Sequence, residues 1–260
     1  MRGLRWFVVA AMVTSGLTTA APAQREMQEL RVVTRMVTPL VMTQHGELTG
    51  FSIELWNKLT ERMQVRTRYH VAPDVGALLE EVRSGKADLG IAAIAITPER
   101  EKQFDFSEPI LSAGLQIMVR SQVHPNNPKP LGRIKGPEDL PGKRVATTRG
   151  STGAAFLRQI NAEVHEFGNI RSAYSALLDN TVEAVVFSAP ALLHYAANEG
   201  RGRVEMAGPL FRTESYGIVF GQNDPWRKRV NEALQALRED GTYQQLYERW
   251  FTNKQRPSAM

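Results

Sequence analysis

KADLGIAAIAITPEREKQFDFSEP, residues 86–109, carries an uncharged apolar run over 89–96. A short apolar run without alternation is the pattern of a parallel strand buried on both faces. It runs into Thr97-Pro98, where threonine can serve as N-cap and proline suits the first helical position. The helical turn that follows carries Arg100. An arginine raised at the carboxyl end of a buried strand, beside free helix amides, suits a carboxylate. Its planar fork takes both oxygens, and the amides add partial positive charge. Pairing with a neighbouring acid, Glu99 or Asp105, fits the same residues.

Outward from this stretch, strands and helices alternate. Residues 30–34 (LRVVT) are strand-like, 51–63 form an amphipathic helix, and 65–70 (VRTRYH) alternate at period two. Residues 75–83 show helical spacing of Val75, Leu78, Leu79 and Val82, closed by Gly85. With the buried run this βαβαβ order implies a parallel sheet covered by helices on both faces. Residues 121–135, rich in Pro, Asn and Gly, read as a surface loop before a second unit. That unit repeats the rhythm with strands at 143–148, 162–167 and 182–187 and helices at 151–160, 170–178 and 189–198. A strand at 204–207, a break at Gly208-Pro209, a strand at 216–220 and helices at 225–238 and 242–250 follow.

At 42% hydrophobic and 23% charged, the chain has the composition of a globular protein of one or two domains. Residues 1–23 read as a cleavable export leader: Arg2 and Arg5, an apolar stretch over 6–17, then Ala21-Pro22-Ala23. The apolar stretch is shorter than a bilayer span, which favours a leader over an anchor. Absence of cysteine excludes disulfides, thiolate metal sites and a cysteine nucleophile. The net charge of +5, reduced to +3 without Arg2 and Arg5, is spread among acids and forms no nucleic-acid stripe. His45, His70, His124, His165 and His194 lack metal-ligand spacing, and no Ser/His/Asp context suggests catalysis. No metal or cofactor is expected.

The 86–109 segment and the surrounding alternation resemble family 3 periplasmic solute-binding proteins, whose fold is shared with ionotropic glutamate receptor ligand cores. The resemblance covers nearly the whole chain after residue 23. It implies an α/β, type II periplasmic-binding-protein-like fold, with two α/β lobes joined by a two-strand hinge. Lobe 1 would span 24–118 and lobe 2 119–211, with 212–260 returning to lobe 1 and crossing strands near 115–120 and 209–216. The ligand would sit in the cleft at the carboxyl ends of the strands. By the resemblance, Arg100 grips an α-carboxylate, and Gly150, Ser151 and Thr152 in RGSTG close on it from the second lobe. Helix capping alone also accounts for that Gly-Ser-Thr trio. Tyr69 in YHVAP would pack on the ligand side chain, or be a rim tyrosine of its strand. Tyr216 in ESYGI would face the cleft, or support the hinge.

Three positions depart from the family pattern. Ala95, with Ala93 two residues before it, stands where many relatives carry a hydroxyl. Ser188 stands where relatives carry the acid that pairs with a ligand ammonium. Val37 or Thr38 replaces an aromatic before Pro39. Glu54 and Asp74 could substitute for the missing acid but read better as surface or helix-start residues. The resemblance thus implies a small carboxylate-bearing ligand, an amino acid or amino-acid-like organic acid. The lost amine half points to one without an amine, such as a keto or aromatic acid. The expected protein is a monomeric periplasmic binder, not an enzyme, serving an inner-membrane ABC permease or receptor, with no nucleic-acid partner. A cyclohexadienyl dehydratase-like enzyme, which would use a cleft acid, and a sensor subunit are the alternatives.

Overall fold

The computed structural model describes residues 27–121 and 134–252. The leader at 1–23 and most of the loop at 121–135 lie outside the described residues.

The first unit runs β1 (Glu29–Thr34), β2 (Met42–Gln44), β3 (Glu47–Thr49), α1 (Phe51–Met63), β4 (Arg66–Val71), α2 (Val75–Arg83), β5 (Leu89–Gly90), α3 (Pro98–Glu101) and β6 (Asp105–Phe106). A long strand β7 (Leu111–Arg120) leads into β8 (Arg144–Thr148), α4 (Thr152–Gln159), β9 (Glu163–Phe167), α5 (Ile170–Leu178), β10 (Ala184–Ser188) and α6 (Ala189–Ala197). The chain returns along β11 (Val204–Tyr216) to β12 (Val219–Phe220) and ends in α7 (Trp226–Glu239), α8 (Thr242–Tyr247) and a π-helical turn, Glu248–Thr252.

Two five-stranded sheets result, ordered β4-β1-β5-β12-β6 and β11-β7-β10-β8-β9, and β2 pairs with β3 in a small hairpin. In the first sheet β1 runs parallel to both β4 and β5, while β12 is antiparallel. In the second, β8, β9 and β10 are parallel, and β7 is antiparallel to β10 and β11. β7 and β11 pair from Val204 opposite Arg120 to Tyr216 opposite Leu111, and they carry the chain between the lobes. The expected boundaries at 118 and 211 therefore fall inside these two strands.

Both lobes are built by burying one stripe of each helix. On α1 that stripe is Phe51, Leu55, Trp56 and Leu59, all fully buried. In the second sheet, strand alternation splits β10. Ala184 and Val186 pack with Leu115, Ile117 and Leu157 on one face, and Val185 and Phe187 with Leu177 and Leu192 on the other.

Two expectations need correction. The run at 89–96 is buried as expected, but its ladder covers only Leu89–Gly90. Beyond it, the Ile91 carbonyl accepts from Thr34 Oγ1 at 2.5 Å and the Ala92 carbonyl from Ser52 Oγ at 3.5 Å. Side-chain hydroxyls thus replace a strand neighbour, and the chain lifts toward the crossing strand, where Ala95 bridges Tyr216. The second correction concerns Gly208-Pro209, read as a break between two strands. β11 continues through it with register shifts between Ala207 and Thr213. Gly208 adopts φ 68° and the strand lies at the sheet edge, where a bulge and a proline are both tolerated.

Candidate functional site

Arg100 is positioned by local chemistry. Thr97 is extended and caps α3, its hydroxyl accepting from the Arg100 amide at 3.3 Å, with Pro98 in the first turn. The cap directs the guanidinium back over the end of the buried run. There Nη1 donates to the Ala95 carbonyl at 2.7 Å, and Nη2 reaches across to the Gly150 carbonyl at 3.1 Å. Asp105, one alternative partner, instead faces Arg227 at 3.7 Å and accepts from the Asn223 amide. Glu99 is exposed, and its own amide and the Thr97 hydroxyl hold its carboxyl below the usual range. Burial lowers the pKa of Arg100, but a guanidinium remains charged at any physiological pH.

The second lobe meets this arginine through the start of α4. Gly150 sits at φ 67°, and a Cβ there would stand 3.1 Å from Val75 Cγ1 on the first lobe, so the lobes touch where the side chain is missing. Ser151 caps α4, accepting from the Ala154 amide at 3.1 Å, and lies 3.2 Å from Thr147 Oγ1. Thr152 is free of capping duty, and its hydroxyl interacts with the Glu214 carboxylate.

Between the lobes lies a partly open cavity lined by Arg100, Ala95, Ser151, Thr152, Ser188 and Tyr216, all named from the sequence. Gly150 lines the wider solvent-open cleft that adjoins it and shares Arg100, Thr152 and Glu214 with it. Tyr216 combines both of its expected roles. Its ring lines the cavity, and its backbone bridges Ala95 and accepts from the Ile110 amide at 2.7 Å. Burial pushes its phenol far above the ordinary range, and the Ser188 hydroxyl opposes that shift. Ser188 Oγ is itself buried without a hydrogen bond of ordinary geometry.

Tyr69 does not belong to this group. It lines neither the cavity nor the adjoining cleft, and its hydroxyl lies 3.3 Å from Asn57 Oδ1 on α1. Thr67, two residues earlier, accepts from Trp56 Nε1 at 2.8 Å, so this face of β4 is turned toward α1. Glu54 is likewise elsewhere, 2.7 Å from Arg249. Asp74 caps α2, accepting from the Ala77 amide, and lies 3.6 Å from Arg149 of the other lobe.

Two charged residues complete the cavity without having been foreseen. Arg35 follows β1 and Glu214 lies on β11, and both line it. Glu214 has no ion pair within 4 Å among the described residues. Burial raises its pKa, opposed by the Thr152 hydroxyl, Arg100 and Arg212. It overturns the expectation that the cavity lacks an acid. Partial signals existed: Arg35 directly follows a buried strand, and Glu214 stands two residues before Tyr216, hence on its face, but neither says that the two meet in one cavity. Among the described residues no three His, Asp or Glu side chains come together to hold a metal.

Residues 30–253 match the family model for bacterial extracellular solute-binding proteins, family 3. The chain is 30% identical over 225 residues to the probable amino-acid-binding protein YxeM of Bacillus subtilis, covering 82% of this chain and 80% of that one. It is 28% identical over 209 residues to the L-cystine-binding protein TcyJ of Escherichia coli, covering 79% and 75%. Among solved structures, the GluR0 ligand-binding core from Nostoc punctiforme, in complex with L-glutamate, superimposes with a TM-score of 0.79. That core is 47% identical, and the match covers 86% of this chain and all of the other.

Proposed function

The chain belongs to the bacterial extracellular solute-binding proteins of family 3, and from that premise we propose that its cleft captures a free α-amino acid. The observation that carries this reading is a cavity between the lobes lined by a partly desolvated arginine, Arg100, and a partly desolvated carboxylate, Glu214, with Thr152 beside them. Opposite charges lining one shared space suit a zwitterion. Arg100 takes the α-carboxylate through its planar fork, joined by Thr152 from the second lobe. Glu214 takes the ammonium from which Ser188 withholds a charge. Contacts from both lobes are complete only when the cleft is shut, which couples binding to closure.

The amine-free ligand that Ser188 suggested loses its premise, because the acid comes from a crossing strand instead. The relatives named for binding amino acids support a carrier and not an enzyme. The leader over 1–23 would deliver it to the periplasm as a monomer. There it would hand its ligand to an inner-membrane permease, or report it to a receptor.

The test is a thermal-shift screen over the common amino acids together with matched keto and aromatic acids, followed by calorimetry. A ligand that binds only the folded state raises the midpoint by mass action. An amino acid is expected to give the largest shift. Arg100→Ala should lose on the order of 2–5 kcal/mol of binding through an unpaired buried charge. Arg100→Lys should recover little of it, since a point charge does not reproduce a bidentate fork. A midpoint raised only by keto or aromatic acids would overturn the proposal.

A further inference from the structure

Arg35 is the group in this cavity that the α-amino acid core leaves unused. It is 4% exposed, yet it makes no hydrogen bond or ion pair among the described residues, and its Nε is buried without a partner. Its guanidinium carbon lies 5.8 Å from the centre of the Phe187 ring, on the cavity wall. The Asp74 charge reaches Arg35 without forming an ion pair with it. Asp74 caps α2 and faces Arg149, and Glu214 interacts with Thr152 and Arg100. Burial and the like charge of Arg100 lower the Arg35 pKa, but only to about 10, so it stays charged at neutral pH. A buried cation without an anion is strongly unfavourable, and each such group needs a physical account.

We propose that Arg35 receives a second carboxylate, carried on the ligand side chain, so that the captured solute is an acidic amino acid. The inference rests on the α-amino acid reading above and narrows it. The charges then balance: two guanidiniums, Arg35 and Arg100, and one carboxylate, Glu214, face two carboxylates and one ammonium. A neutral side chain would leave Arg35 unpaired. A basic one would set a second cation against it in a cavity where charges are poorly screened.

The experiment is calorimetric titration of the full chain with L-glutamate, L-aspartate, L-glutamine, L-asparagine and L-arginine, for wild type and for Arg35→Gln. Wild type is expected to prefer an acidic amino acid over its own amide by roughly tenfold or more, as a charge-assisted contact exceeds a neutral one. Arg35→Gln should bring that ratio close to unity while retaining binding of the amide. Unliganded Arg35→Gln and Arg35→Met should unfold at or above the wild-type midpoint, because they remove an unpaired buried charge, so loss of folding does not confuse the result. Wild type binding a neutral or basic amino acid as tightly as an acidic one overturns the inference and leaves the broader reading standing. So does Arg35→Gln weakening every amino acid equally, which would mean that both arginines share one carboxylate. If no amino acid binds wild type, both readings fall together.

Discussion

Glu214 is pulled two ways, and the balance sets how binding responds to pH. Desolvation pushes its carboxyl above the ordinary range, while the Thr152 hydroxyl, Arg100 and Arg212 pull it down, and the net shift is upward. An incoming ammonium would stabilise the ionised form and lower that pKa. Between the bound and free values, binding must therefore expel a proton, so affinity rises with pH and levels off above the free pKa. Calorimetry between pH 4.5 and 8, in buffers of differing ionisation heat, should show proton release at the acid end. Glu214→Gln should remove the pH slope and weaken amino-acid binding by about 1.5–3 kcal/mol, the worth of a hydrogen bond to a charged group. A slope that survives in the glutamine variant would assign the titration to another group. Legibility at this scale follows from how local the cause is. Arg100 was readable because Thr97 and Pro98, its immediate neighbours, fix its direction. Arg35 and Glu214 needed the crossing of β11 over the ends of β1 and β5, which single-residue spacing does not contain. For Tyr69 the alternation likewise assigns a face of β4 without saying that α1 lies against that face, which leaves both of its expected placements open from sequence.

Among the elements, α1, α2 and α5 match their expected bounds because amphipathic spacing and end signals agree. β5 and β11 departed because apolar content does not say which neighbour takes the backbone hydrogen bonds. Gly208-Pro209 reads alike as a break or as an edge bulge. The start of α4 is where element geometry bears most on function. Ser151 is consumed as a cap, so Thr152 is the hydroxyl of this turn free for the proposed ligand, and Gly150 lets Val75 of the opposite lobe come close. Gly150→Ala places a side chain in a left-handed conformation, which costs roughly 1–2 kcal/mol. It also sets a methyl 3.1 Å from Val75 Cγ1. The strain acts whether or not the lobes meet, but the clash acts only when they do. The variant should therefore lose both thermal stability and affinity, and Val75→Ala on the same background should restore affinity more than stability. Restoration of neither by the second change would mean that the lobes do not meet at this point in the bound form.

At the scale of the molecule, Arg100 with Gly150 and Arg149 with Asp74 are polar contacts across the cleft, and their magnitudes differ. Arg100 donates to the Gly150 carbonyl at 3.1 Å from a half-buried position. Arg149 faces Asp74 at 3.6 Å, but the Arg149 side chain is 64% exposed. An exposed pair of that kind contributes at most about 1 kcal/mol and is screened by salt. That corresponds to roughly a fivefold change in an equilibrium between open and closed forms. Affinity measured from the open form scales with the fraction that is competent to bind, so it changes by no more than the same factor. Arg149→Gln is the informative variant, because Asp74 also caps α2 and its replacement would damage the helix. The variant should enlarge the radius of gyration of the unliganded protein in solution scattering and leave the saturated value unchanged. It should weaken binding by at most about fivefold, and raising wild-type ionic strength should mimic it in direction. Arg100→Ala, by contrast, removes both a cleft-crossing hydrogen bond and the proposed carboxylate anchor, so it should weaken binding well beyond that bound. If Arg149→Gln proved as damaging as Arg100→Ala, Arg149 would have to touch the ligand. If the unliganded radius did not change, the pair would play no part in closure.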